Sequence, residues 1–207
     1  MRIKTRIGQD SGWSLRRVRR AALIWLACAL AASGTARAAT ETVIHSFGFF
    51  PYGASPYGRL TYDASGDLYG TTNQGGGANL GVVYKLNKSG ETVLHNFAGG
   101  SDGASPYAGV KLDSAGNLYG TTYQGGSSNA GVVYKLSTTG QETLLHTFTG
   151  GSDGGNPYAG VILDSAGNLY GTASKGGTAN AGVVYKLDPA NRAGDGAVQL
   201  RWRGRWG

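Results

Sequence analysis

Short apolar runs alternate with clusters of Gly, Ser, Asn and Asp along most of this chain, and the whole pattern occurs three times. Runs of this length with turn-forming residues between them are typical of β-strands joined by turns. In the second copy the four runs are residues 109–112, 118–122, 131–136 and 142–148. We label these predicted strands a, b, c and d, and we use the same letters for their counterparts in the other copies.

The copies recur at a nearly constant spacing. Tyrosines at one position of strand b, Tyr69, Tyr119 and Tyr170, lie 50 and 51 residues apart. No stretch has a sustained helical period, and 37 glycines in 207 residues are too many for long helices. Four strands at this period are typical of a propeller blade, so the sequence predicts an all-β fold, a partial β-propeller of three four-stranded blades.

The pattern divides the chain into three segments. Residues 1–38 form a predicted secretory signal peptide, residues 39–190 hold the three repeats (41–90, 91–141 and 142–190), and residues 191–207 are a divergent tail rich in Arg and Trp. One additional run, residues 41–47, has the sequence of strand d and precedes the first complete unit. After strand c of the third unit, where another such run is due, the tail sequence begins instead.

The basic character of the protein belongs to its N-terminal segment. Residues 1–38 contain eight of the 19 Lys and Arg side chains and one of the 12 Asp and Glu, so the rest is neutral with 11 of each sign. The apolar run 21–32 and the small-x-small site at Ala36 to Ala38 predict cleavage after Ala38, and the run is too short to span a bilayer. We therefore expect a secreted or periplasmic protein, exported by the general or the twin-arginine route, with no stable membrane span and no nucleic-acid partner.

The linkers between the predicted strands differ in length. The a–b and c–d turns are tight, whereas the d–a and b–c linkers are longer. Because successive strands of a meander run in opposite directions, the two longer linkers leave the sheet at the same edge. The sequence therefore predicts that the long loops gather on one face, which is the usual place for ligand contacts on a rigid scaffold.

Four residues in the d–a linkers are candidates for ligand binding. Tyr107 and Tyr158 each follow a proline at the start of strand a, and Asp102 and Asp153 lie shortly before them. Aromatic rings beside hydrogen-bonding groups suit a glycan or a protein partner, so we predict that these residues contact the ligand. Packing between blades explains the tyrosines equally well, and that alternative stays open.

Two further repeated groups resemble chemical sites but have structural interpretations. The histidines of strand d lie a blade width apart, too far to share one metal ion, so we interpret them as packing residues; they are His45, His95 and His146. The aspartates that open the a–b turns offer too few oxygens for calcium and are expected to cap backbone N–H groups; they are Asp63, Asp113 and Asp164. No set of nonequivalent catalytic groups is visible, so we predict no catalytic residue, no metal and no cofactor.

Four motifs recur through residues 41–187: Gly-Val-Val-Tyr-Lys-Leu, Glu-Thr-Val-Leu-x-x-Phe, Gly-x-x-Asp-Gly-x-x-Pro-Tyr-Ala-Gly and Asp-x-x-Gly-Asn-Leu-Tyr-Gly-Thr-Thr. They resemble the repeats of the GloVer (Gloeobacter and Verrucomicrobia) family, secreted bacterial proteins with a variable C-terminal anchor. The first unit departs from the motif at residues 50–52, where the later units have Ser-Asp. The resemblance implies an exported propeller-like protein and no settled activity.

These features favour an exported, noncatalytic module that binds a glycan or a protein partner through the loops of one face. The alternatives are a propeller hydrolase of the lactonase kind with a metal in its channel, and a nonfunctional fragment of a longer repeat protein. Three blades are fewer than the roughly four to eight that close a propeller. We therefore expect a chain that is either poorly stable alone or forms a homodimer of six blades, in which each copy lends residues 41–47 to the third blade of the other.

Overall fold

The computed structural model describes residues 39–48 and 51–188, and within them the regular structure is almost entirely β. One short 3-10 turn, Gly100–Asp102, interrupts the strands. No helix of the described residues is long and apolar enough to cross a membrane. The strands are β1 (Gly53–Ala54), β2 (Thr61–Tyr62), β3 (Leu68–Thr72), β4 (Gln74–Gly75), β5 (Val82–Asn87), β6 (Gly90–Asn96), β7 (Lys111–Leu112), β8 (Leu118–Thr122), β9 (Val132–Leu136), β10 (Glu142–Thr147), β11 (Ile162–Leu163), β12 (Leu169–Ala173) and β13 (Val183–Leu187).

Eleven of these strands form three antiparallel sheets, which we call blades. Blade 1 has the order β2-β3-β5-β6, blade 2 has β7-β8-β9-β10, and blade 3 has β11-β12-β13. Strands a to d of the first two units therefore lie side by side in chain order, as a meander does. The predicted all-β, partial propeller-like fold is confirmed.

The N-terminal copy of strand d is a correction to the sequence interpretation. Residues 41–48 carry the strand d sequence but form no strand in the structure. A strand needs a neighbour for its backbone hydrogen bonds, and strand c precedes strand d within each blade. No described strand c precedes residues 41–47. At the other end of the array, the predicted tail and the end of the third repeat lie outside the described residues.

The a–b turns are held by their aspartates, as predicted. In the second turn, Asp113 Oδ1 accepts hydrogen bonds from the backbone N–H groups of Ala115 and Asn117 at 2.9 and 2.8 Å. Its Oδ2 accepts one from the Tyr119 hydroxyl at 3.0 Å. Gly116 has φ of 84°, which a residue with a side chain rarely adopts. These bonds fix the hairpin and tie the tyrosine of strand b to the turn.

The core lies between neighbouring blades. The phenylalanine after each strand d packs edge-on against the tyrosine of the next blade's strand c. Phe97 meets Tyr134 with ring centroids 5.3 Å apart, and Phe148 meets Tyr185 at 5.2 Å. Both phenylalanines are at most 1% exposed. Apolar burial between blades is therefore the main stabilising interaction of the array.

Two kinds of contact with the backbone fix the position of one blade against the next: hydrogen bonds from threonine hydroxyls and a close backbone-to-backbone approach. The Thr71 hydroxyl of blade 1 donates to the Ala108 carbonyl at 2.8 Å, and Thr121 of blade 2 donates to Ala159 at 3.0 Å. The backbones that lead into strands a of neighbouring blades also approach closely. A Cβ atom at Gly109 would lie 1.8 Å from the Arg59 carbonyl oxygen. Only glycine fits there.

The long loops lie together, as the strand directions predict. In the first unit the d–a loop pairs with the b–c loop through β1 and β4. In the later units single bridges join the same loops, Ala104 to Gln124 and Gly155 to Lys175. These bridges brace the loop face, so residues on it are held by backbone hydrogen bonds.

Strand d contains a β-bulge that the sequence pattern does not reveal. The pairing of β10 with β9 shifts between Leu144 and His146, and β6 has the same irregularity against β5. A bulge inserts one extra residue and turns the following side chains. Side chains therefore do not alternate strictly between the two sheet faces from Val93 to His95. The face on which the histidine lies cannot be predicted from its spacing in the sequence.

Candidate functional site: a tyrosine cluster and a histidine clasp

Four tyrosines meet on the loop face, and we call them the tyrosine cluster: Tyr57, Tyr107, Tyr123 and Tyr158. Tyr107 is central, with ring centroids 5.6 Å from Tyr57, 5.4 Å from Tyr123 and 5.1 Å from Tyr158. Tyr123 and Tyr158 lie 4.6 Å apart. Three members come from the start of strand a in successive units, so the repeat itself assembles the cluster.

The cluster combines buried support with exposed rings. Tyr57 is 67% exposed and Tyr158 is 53% exposed, whereas Tyr107 and Tyr123 are half-buried. A hydrogen bond to Tyr123 raises the pKa of Tyr158 above its ordinary value, so the Tyr158 hydroxyl is neutral near pH 7. The surface therefore offers flat apolar rings with hydroxyls that donate and accept hydrogen bonds.

The backbone beneath the cluster is tied across the blades. Asn156 donates from its side chain to the Tyr123 carbonyl at 3.0 Å and from its N–H to the Ala130 carbonyl at 2.7 Å. Asn156 has a left-handed φ of 52°, which asparagine tolerates better than most residues. In the preceding unit Ser105 has φ of 53° and donates to the Leu80 carbonyl at 2.8 Å. The rings are thus presented by a braced loop.

The two predicted aspartates each lie beside a strand d histidine and accept hydrogen bonds from the backbone of their own loops. Asp102 Oδ1 lies 3.0 Å from His95 Nε2, and Asp102 Oδ2 accepts from the Ala98 N–H at 2.5 Å. Asp153 Oδ2 lies 3.3 Å from His146 Nε2 and accepts from the Thr149 N–H. Tyr107 and Tyr158 are therefore brought together, while Asp102 and Asp153 each join a strand d histidine.

Asp102 belongs to a three-residue group at the junction of blades 1 and 2, which we call the histidine clasp. The other members are His95, from blade 1, and Glu142, from the start of strand d in blade 2. Their ligand-type atoms all lie within 4.8 Å of one another. Burial, a hydrogen bond to Asp102 and the charge of Asp102 raise the pKa of Glu142 to about 9. Near pH 7 the Glu142 carboxyl therefore keeps its proton.

The other junctions hold parts of the same clasp. His45 Nε2 lies 2.8 Å from Glu91 Oε2, and the Glu91 side chain is only 3% exposed. At the next junction His146 faces Asp153, but its Nε2 is buried without a hydrogen-bond partner. Burial lowers the pKa of His146. The complete clasp therefore takes a histidine from one strand d, an aspartate from the following loop and a glutamate from the next strand d, and each of the other two junctions holds the histidine and one of the two carboxylates.

The clasp carries the donor types of a metal site, a histidine nitrogen and two carboxylate oxygens. Two of its members bond each other, His95 to Asp102, and Glu142 adds a hydrogen bond to Asp102, although Glu142 Oε1 is buried without a partner. We interpret it as a polar link between blades. The absence of metal and of catalytic residues remains a prediction. The role of Glu142 was missed in the sequence, although Glu41, Glu91 and Glu142 recur at the repeat period.

The fold and these repeated junctions define a class, an all-β protein built from propeller-like blades in tandem. The profile of the Gloeobacter/Verrucomicrobia repeat family matches residues 33–200. The chain belongs to this family, and the family predicted from the motifs is confirmed. No curated protein matches the chain.

Proposed function

We propose that this protein is an exported, noncatalytic repeat module that binds a carbohydrate on its tyrosine cluster. The observation that supports the proposal is the contiguous set of four rings, two of which are more than half exposed. Exposed aromatic side chains that touch one another on a braced loop face are uncommon without a ligand to cover them.

The chemistry of the cluster favours a neutral sugar chain. Sugar rings present C–H faces that stack on aromatic rings, and their hydroxyls match the donors and acceptors of the tyrosine hydroxyls. The residues after the predicted leader carry no net charge, so a polyanion has no electrostatic preference for them. The positive charge of Lys175 does act on Tyr158, so a sugar that carries an acidic group is compatible with this surface.

A glycan array followed by calorimetry tests the proposal. Tyr158→Ala should weaken binding of the captured glycan at least about tenfold, because an exposed stacking ring is lost. Tyr158→Phe should keep most of the affinity. The matched control is Tyr62→Ala, because Tyr62 is 73% exposed and lies outside the cluster.

Two results would contradict the proposal. The first is an array on which no glycan is retained. The second is a captured glycan whose affinity is the same for the wild type and Tyr158→Ala. If the array is empty and a partner protein is captured that Tyr158→Ala releases, the cluster is a protein-binding surface instead.

The export part of the proposal is supported by the basic, apolar and small-x-small order of residues 1–38. Intact-mass analysis of the protein recovered from the medium or periplasm should give a chain that begins at Ala39. Recovery of the uncleaved chain from the cytoplasm alone would overturn it.

A further inference from the structure

Blade 3 ends in an unpaired strand within the described residues. Strand β13 is the edge of its sheet, whereas its counterparts β5 and β9 each pair with a strand d on that side. Val184 of β13 is 67% exposed, although Val83 and Val133 at the same repeat position are 0% exposed. An open edge with an exposed apolar side chain is ready to accept one more strand.

Residues 41–47 have the sequence of that missing strand. They read Glu-Thr-Val-Ile-His-Ser-Phe, form no strand, and leave Val43 and Ile44 71% and 70% exposed. In blade 2 the counterpart of Ile44 is Leu145, which is 8% exposed and lies in a core cluster. The repeat pattern therefore assigns Ile44 to the core, but among the described residues of one chain its side chain is not buried.

The end of this segment shows which blade it belongs to. His45 contacts Glu91 at 2.8 Å, and the Phe47 ring lies 5.0 Å from Tyr84. At the junction of blades 1 and 2 the same two contacts on blade 2 are made by His95 and Phe97, at the end of strand d of blade 1. His45 and Phe47 therefore occupy the position of the end of strand d from a blade that precedes blade 1.

That preceding blade is best supplied by a second copy. The described residues hold three blades, fewer than the roughly four needed to bring blade 3 back to blade 1. Two copies joined head to tail make six blades, which lies within the range of closed propellers. The chain's own residues 189–207 lack the Glu-Thr-Val-Leu-x-x-Phe pattern, so they are a poorer match to the open edge.

The incomplete clasp in blade 3 agrees with this arrangement. His146 and Asp153 lie 3.3 Å apart, and His146 Nε2 is buried without a hydrogen-bond partner. At the junction of blades 1 and 2 the third member of the clasp is Glu142, the first residue of strand d. Its counterpart in the additional run is Glu41. A second copy that adds this strand would bring the missing carboxyl group to His146.

We infer that two copies of the chain exchange residues 41–47, each completing blade 3 of the other and its histidine clasp. The register follows from blade 2, where Glu142 lies opposite Leu136 and Thr143 opposite Lys135. Glu41 then lies opposite Leu187 and Thr42 opposite Lys186 of the second copy. The exchange gives a closed ring with twofold symmetry and no open strand edge.

Cross-linking tests this register on the full chain. In a Cys28→Ser background, which removes the single native cysteine, chains with Thr42→Cys and chains with Lys186→Cys should form a disulfide-linked dimer on mild oxidation. The matched control replaces Lys186→Cys with Lys135→Cys, at the same repeat position of blade 2. Its neighbouring slot is already filled by β10, so no dimer is expected.

Three outcomes of that experiment would overturn the inference. They are no cross-link between Thr42→Cys and Lys186→Cys, equal cross-linking with Lys135→Cys, and a cross-link within one chain when both cysteines are placed in it. The first outcome is also the one expected if residues 189–207 of the same chain complete blade 3. The third would mean that three blades close on themselves.

Surface variants give a second measurement. Ile44→Asp should raise the dimer dissociation constant at least about a hundredfold, because the charge would enter the core position of Leu145. Val43→Asp is the control, since Val43 is equally exposed in one chain and its counterpart Leu144 stays 37% exposed within blade 2; its effect should stay below about tenfold. A stable monomer at all concentrations, or equal effects of the two variants in sedimentation, would contradict the exchange.

Discussion

Blades 2 and 3 have nearly the same sequence and the same a–b hairpins, yet they differ strongly in burial. Asp164 accepts from Ala166 and Asn168 at 2.9 and 2.8 Å, the same distances as in the blade 2 turn. In contrast, Val133 is 0% exposed and Val184 is 67% exposed. Hairpin geometry is therefore set within a repeat, whereas burial is set by the neighbouring blade and by strand d. Among the described residues blade 3 has no following blade and no strand d.

The largest effect is expected at the centre of blade 2. Tyr134 is 0% exposed, so Tyr134→Ala should lower the free energy of unfolding by about 3–5 kcal/mol. Tyr134→Phe is the matched control, because the Tyr134 hydroxyl is buried without a partner and its removal should be neutral or slightly stabilising. Urea denaturation measures both. A loss of similar size in the two variants would show that the hydroxyl, and not ring packing, stabilises the blade.

Blades 2 and 3 differ most in burial at the two equivalent valines of strand c. Val133→Ala should cost about 2 kcal/mol, because a buried side chain is truncated. Val184→Ala should cost less than about 0.5 kcal/mol in protein dilute enough to be monomeric. Equal losses under those conditions would mean that blade 3 is covered in the single chain.

The hairpins should respond equally in the two blades. Asp113→Ala and Asp164→Ala each remove two backbone caps and the partner of a tyrosine hydroxyl, so each should cost about 1–2 kcal/mol. The exposed neighbour Ser114→Ala serves as control. A clear difference between the two aspartate variants, measured by urea denaturation, would show that the turns depend on the surrounding blades.

A pH dependence is expected at the junction of blades 1 and 2. The pKa of Glu142 is about 9 in the folded chain and 4.5 as its reference value, so the folded chain binds the extra proton between these limits. Stability is greatest at the low end of this window and is lost as the pH rises towards 9. The melting temperature should fall between pH 7 and pH 9, a range chosen because His146, whose pKa is lowered, remains neutral throughout it.

Glu142→Gln should flatten that fall, since glutamine does not titrate. Asp102 and His95 face Glu142 in the clasp and remain in the variant. The same slope in wild type and variant would assign the pH dependence to another group.

Most of the fold was predictable because its determinants are local. The apolar runs and the Asp and Gly turns fix each hairpin through bonds within six residues of the chain, such as that from Tyr119 to Asp113. The gathering of long loops on one face follows from strand direction alone. Tyr107 and Tyr158 were placed on the same surface for this reason.

What could not be predicted depends on contacts between repeats. The bulge next to Leu145 is invisible in an alternating pattern, and it decides where His146 points. The clasp joins His95 to Glu142, 47 residues later and in another blade, so no local motif contains it. Tyr123 joined the tyrosine cluster unforeseen, because only the second unit has a tyrosine at that position.

The origin of the tyrosine cluster has a consequence for how such proteins diversify. Each repeat contributes one tyrosine at the start of strand a, and neighbouring rings are set side by side by the blade-to-blade hydrogen bonds of Thr71 and Thr121. Duplication of a repeat in the gene would lengthen the aromatic row by one ring, and deletion would shorten it. The length of polymer that such a surface can bind would then change by one ring per repeat, without any amino-acid substitution.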